Sequence, residues 1–123
     1  MLIGAIFIGA IAQPDTAPAT STTLTNGIPT VHMNVVNFTQ PSVTISNGST
    51  LLLVDDVAVP HILANGSWQN GKAIAANEPG APNMSNVQVN ASSAEIGPFT
   101  QAGTYHIYCT IHQGMTMSIT VKR

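Results

Sequence analysis

Short β-prone runs separated by Asn-Gly and proline signals constrain this chain more than any other feature. Val31–Phe38 (VHMNVVNF) is rich in β-branched and aromatic residues and ends before Pro41, so it reads as a strand. Ser42–Ser46 reads as a second, and the turn signal Asn47-Gly48-Ser49 leads into a third apolar run, Thr50–Asp55. Val87–Val89, Thr104–Cys109 and Thr116–Lys122 are further candidates, and no stretch carries helical periodicity. Two more Asn-Gly pairs, at 65–66 and 70–71, mark residues 66–86 as a long loop, with a short helical turn expected at Ile74–Asn77. The pattern predicts an all-β, single-domain antiparallel sandwich of about seven or eight strands.

Composition sets the remaining bounds. The 123 residues suit one domain, and 44% hydrophobic content is enough for one core. Charged residues are 7%, against an average of about 25%, so Asn, Ser, Thr and Gln must supply most of the polar surface. The net charge of -2 excludes a basic nucleic-acid-binding surface.

Met1–Ala12 (MLIGAIFIGAIA) is almost wholly apolar and uncharged. It is shorter than the about 20 residues of a spanning helix and lacks the basic start of a signal peptide. It reads either as the remnant of a secretion or anchor sequence or as an extra strand. Residues 13–27 read as a flexible linker, leaving 28–123 as the folded domain. This layout implies the periplasmic or extracellular face of a membrane, with tethering through Met1–Ala12.

The chemistry concentrates in Cys109-Thr110-Ile111-His112-Gln113-Gly114-Met115, directly after a strand. Thiolate, imidazole and thioether in a C-x2-H-x2-M loop suit copper: sulfur favours Cu(I), imidazole also serves Cu(II), and a weak axial thioether tunes the potential. A second imidazole is then required from another loop at the same end of the sandwich. His61, stiffened by Pro60 after the third strand, is the candidate. With a single cysteine no intrachain disulfide can form. A Cys109 nucleophile with His112 as base is the enzymatic rival, but no Asp, Asn or Glu is placed in sequence to orient that His. The chain is therefore not expected to be an enzyme.

Val59-Pro60-His61 together with Gly103–Met115 (GTYHIYCTIHQGM) resembles the cupredoxins, the type 1 blue copper proteins, and most closely their plastocyanin and amicyanin branch. The detailed likeness spans about residues 50–62 and 97–122. It implies a Greek-key β-barrel or sandwich with one copper per chain, held by His61, Cys109, His112 and Met115. It further implies a one-electron carrier between redox partners that dock near His112, on a rim of Pro60, Ile111, Gly114 and Met84. A copper carrier or storage protein is the alternative, and a monomer is expected.

Met115 and Met117 both follow His112. In the resembled subfamilies the inward positions of the last strand lie four and six residues beyond the axial Met. From Met115 these are Ile119 and Val121, whereas from Met117 they include Arg123, so Met115 is the expected ligand and Met117 a core residue beneath it. Strand parity puts Tyr105 and Ile107 on the inner face with Cys109, leaving His106 and Tyr108 outside and half-exposed. His32 reads as structural, and Trp68 as a pin for the long loop. Relatives often carry Asn after the upstream His to tie the ligand loops together. Ile62 stands there in this chain, so that tie must be replaced or absent.

Overall fold

A computed structural model describes residues 22–123. The apolar segment Met1–Ala12 and the linker up to residue 21 lie outside the described residues. Ten strands follow in order: β1 Thr23–Thr25, β2 Ile28–Met33, β3 Ser42–Ser46, β4 Leu51–Asp55, β5 His61–Gln69, β6 Lys72–Ala75, β7 Val87–Val89, β8 Ser93–Ile96, β9 Gly103–Cys109 and β10 Thr116–Lys122. No helix occurs among the described residues, and none is long and apolar enough to cross a membrane.

The strands form two sheets. One runs β1-β2-β4-β8; the other runs β3-β10-β9-β5-β6, with β7 also paired to β5. Most pairings are antiparallel, but β2 lies parallel to β4 and β3 parallel to β10, so the sandwich is mixed rather than purely antiparallel. Alternation along the strands builds the core. Val43 and Ile45 of β3, Leu51 and Leu53 of β4, Ile107 of β9, and Met117, Ile119 and Val121 of β10 all point inward and are buried. Each such side chain contributes about 1.5–3 kcal/mol of burial.

Residues 66–86 depart from the expected long loop. Asn65-Gly66 is not a turn: Gly66, at φ +132°, lies inside β5 where β6 crosses so closely that a Cβ would collide with the Ile74 carbonyl oxygen. The turn is Asn70-Gly71, both at positive φ, which closes a hairpin pairing Gln69 with Lys72. Ile74 and Ala75 therefore belong to β6, not to a helical turn. An Asn-Gly pair looks alike in a hairpin loop and at a kink in a strand; only the pairing partner separates the two. The expected linker likewise ends in structure, since Thr23–Thr25 pair with Ile28–Thr30 as β1. The first expected strand stops at Met33, because Asn34 turns the chain by accepting the amides of Val36 and Asn37 on its side chain.

Three segments meet at one end of the sandwich: residues 34–37, the β4–β5 connection at 56–60, and the β9–β10 connection at 110–115. The third is closed by Cys109 N–H to Met115 O at 3.0 Å and Met115 N–H to His112 O at 3.2 Å. Both ends of that connection sit on paired strands, which holds its side chains in place.

Candidate metal centre

His61 opens β5 and Cys109 ends β9, and the neighbouring register pairs Leu63 with Cys109. The β9–β10 connection then brings His112 back over the strand end. One ligand atom each of His61, Cys109 and His112 lies within 4.8 Å of the other two. Cys109 Sγ is 3.3 Å from His112 Nδ1, and the two imidazole rings stand 4.8 Å apart at an interplanar angle of 56°. Met115 is fully buried in the same connection. Met117 is buried too, but it sits within β10, paired with Ile107 in the sheet.

His61 has a defined tautomer. Its Nε2 lies 2.9 Å from the Asn34 carbonyl oxygen, which can only accept, so Nε2 carries the proton. Nδ1 is then a bare lone pair. It is buried and has no hydrogen-bond partner among the described residues. A buried imidazole lone pair with no partner is the mark of a metal ligand; the other unpartnered buried side-chain nitrogen among the described residues, Gln40 Nε2, is an amide with no such lone pair. With a thiolate, a second imidazole and a thioether close by, the donor set fits copper. At His112, burial first and the neighbouring His61 second push the pKa below its ordinary 6.5, with Asp55 acting weakly the other way. His112 is accordingly neutral at pH 7, the form that can donate to a metal.

Backbone groups tie the ligand segments together. Ile62 N–H donates to Cys109 Sγ at 3.4 Å, and Ile62 C=O accepts from Thr110 N–H at 2.7 Å. Trp68 Nε1–H donates to the Cys109 carbonyl at 2.8 Å, and its backbone N–H to Thr116 Oγ1 at 2.9 Å. Trp68 thus pins the strand end carrying Cys109 from its place on β5, not from a loop.

The other residues singled out in the sequence fall elsewhere. His106 is on the outer face, with Nδ1 2.9 Å from Glu78 Oε2, and His32 pairs with Asp56 at 2.8 Å. Tyr108 points outward as parity requires, yet it is only 5% exposed, because Trp68 packs edge-on against it at 6.2 Å. Met84 is a core residue rather than part of a rim, whereas Pro60, Ile111 and Gly114 are exposed. Two site neighbours carried no signal in sequence, the Asn34 carbonyl and the buried Asp55 carboxylate, since neither residue type announces its burial.

Comparison with known proteins agrees with this geometry. No curated protein matches the chain. Among solved structures it is similar to a reduced amicyanin variant, with 21% identity, a TM-score of 0.60, and coverage of 87% of this chain and 97% of that one. Amicyanin from Paracoccus versutus gives 21% identity and a TM-score of 0.57, covering 87% and 86%. A purple cupredoxin from Nitrosopumilus maritimus gives 22% and 0.54, covering 74% and 98%. These likenesses establish the cupredoxin fold. The family model for copper-binding proteins of the plastocyanin/azurin type matches residues 26–122. A copper-binding family, a cupredoxin fold and a nitrogen–sulfur donor cluster with one bare imidazole nitrogen lead to the same assignment: the chain belongs to the plastocyanin/azurin family of copper-binding proteins, with copper as its cofactor.

Proposed function

We propose that the protein is a mononuclear type 1 copper protein that carries single electrons, in which His61 Nδ1, Cys109 Sγ and His112 Nδ1 would hold the ion and Met115 would supply the thioether. The observation that carries this reading is the bare, buried Nδ1 of His61, on a residue that offers a ring nitrogen within 4.8 Å of ligand atoms of Cys109 and His112. Copper held by these residues would supply a one-electron Cu(II)/Cu(I) couple. The protein's part is to keep the donors still. His61 and Cys109 sit on paired strand ends and His112 in a hydrogen-bonded connection, so close packing resists rearrangement between oxidation states.

Burial also favours a carrier over an enzyme. Cys109 is fully buried, so no substrate can reach its sulfur as a nucleophile. Redox partners dock over the exposed Pro60, Ile111 and Gly114 beside His112; an apolar rim of this kind suits brief association. The working form is a monomer on the periplasmic or extracellular side, a placement that rests on the sequence of Met1–Ala12.

The test is to add Cu(II) to the purified protein and to a Cys109→Ser variant, recording visible absorption and electron paramagnetic resonance. An intense thiolate-to-copper band, absent in the variant and bleached by mild reductant, is expected. No band at one copper per chain would overturn the reading, and rapid loss of copper to a chelator would favour carriage or storage instead.

A further inference from the structure

Asp55 is the last residue of β4, and its side chain is fully buried. Each carboxylate oxygen takes one backbone amide: Oδ1 accepts from Val57 N–H at 3.1 Å and Oδ2 from Ala91 N–H at 3.2 Å. Ala91 holds a left-handed φ of 49°, unusual for a residue with a Cβ, in the turn that presents this amide. Lys72, Lys122 and Arg123, the chain's basic residues, are all exposed. Among the described residues no Lys or Arg pairs with Asp55; its neighbour is the neutral His61 imidazole, whose Nε2 is 3.9 Å from Oδ1.

Two amides do not balance a carboxylate taken out of water; a buried charge normally has a counter-charge beside it. Here the adjacent group is the imidazole whose opposite nitrogen faces the donor cluster. Loss of one electron leaves the oxidised centre one positive unit above the reduced centre, with the thiolate contributing equally to both. A fixed negative charge behind His61 favours the higher charge, and the effect is strengthened by the low dielectric of the interior. The carboxylate oxygen stands 3.9 Å from Nε2, whose proton goes to Asn34 O, so it acts on the ring through its charge while Asn34 O holds the ring in place.

We propose that Asp55 is a potential-setting residue, whose buried carboxylate acts through His61 and biases the centre toward Cu(II). This rests on the copper reading above and adds a role for a residue outside the ligand set.

The experiment is an equilibrium redox titration of the copper-loaded protein, its Asp55→Asn variant and an Asp56→Asn control, with visible and paramagnetic resonance spectra of each. Asp56 is the exposed neighbour paired with His32. Asp55→Asn should weaken Cu(II) relative to Cu(I) binding about tenfold, an upward shift of about 59 mV for one electron, with the thiolate band retained. The control should leave the potential unmoved. If Asp55→Asn does not fold, Asp55→Ser carries the same test, since a hydroxyl can still accept the Val57 amide. An unchanged potential in a folded, copper-loaded Asp55 variant overturns the inference while leaving the copper site standing. An equal shift in the control reduces the effect to net charge and overturns it as well. A wild-type protein without a thiolate band overturns both readings.

Discussion

Ile62 donates its backbone N–H to Cys109 Sγ at 3.4 Å, and this bond joins the His61 segment to the sulfur without using the side chain at position 62. The Ile62 carbonyl completes the tie by accepting from Thr110 N–H. Position 62 can therefore carry an apolar residue where relatives often use Asn. Replacing Ile62 with Thr, also β-branched, should leave the visible band of the copper-loaded protein in place, whereas Ile62→Pro, lacking the N–H, should shift or abolish it. Absorption spectra of the two variants check this.

Trp68→Phe keeps an aromatic ring against Tyr108 but leaves the Cys109 carbonyl without the Nε1–H donor. The loss should cost about 1–3 kcal/mol of stability, the usual penalty for an unsatisfied buried acceptor. Urea unfolding followed by far-ultraviolet circular dichroism measures it, since the protein's one tryptophan is gone.

Two glycines separate conformational strain from collision. A Cβ at Gly48, φ +91°, meets nothing within 4 Å, so Gly48→Ala should cost about 1 kcal/mol from backbone strain alone. At Gly66 the Cβ runs into the Ile74 backbone, which cannot swing aside, and Gly66→Ala should cost about 3 kcal/mol or more. Equal losses in denaturant titrations would refute the close approach of β6.

Ile111 is 49% exposed beside His112. Ile111→Lys should slow electron exchange with an apolar-faced partner about threefold to tenfold, through weaker docking, with the visible spectrum unchanged. Stopped-flow kinetics at several ionic strengths read this out. Gly114 is a poorer probe of the same rim, because its φ of +85° makes any side chain there strained.

The metal-free protein should lose stability in acid through His112. Its pKa is lowered by burial first and by His61 second, below the 6.5 at which the unfolded chain takes up the proton. Below pH 6.5 the unfolded state therefore binds more protons, and stability falls until the pH passes the lowered folded pKa. Proton resonances of the His112 ring should titrate below 6.5, and His112→Asn should flatten that part of the stability profile.

The β class, most of the strands and the cluster of chemically able residues are written into the residue pattern. Period-two alternation records which face of a strand is buried, so Ile107 was legible as core from its parity with Cys109, whereas Ile119 and Val121 were legible through the family resemblance. The loop from Cys109 to Met115 was legible because its donors are near neighbours in the chain. Strand packing set what depends on distant partners. It turned Gly66 into a kink inside β5, placed Tyr108 under Trp68, moved Met84 from rim to core, and ran β2 beside β4 and β3 beside β10 in parallel. It also set Asn34 O and the Asp55 carboxylate against His61, across 27 residues of chain in the case of Asn34. Alternation encodes one burial bit per residue. Which backbone carbonyl or carboxylate then meets a given imidazole is a property of how the strands pair, and no local pattern carries it.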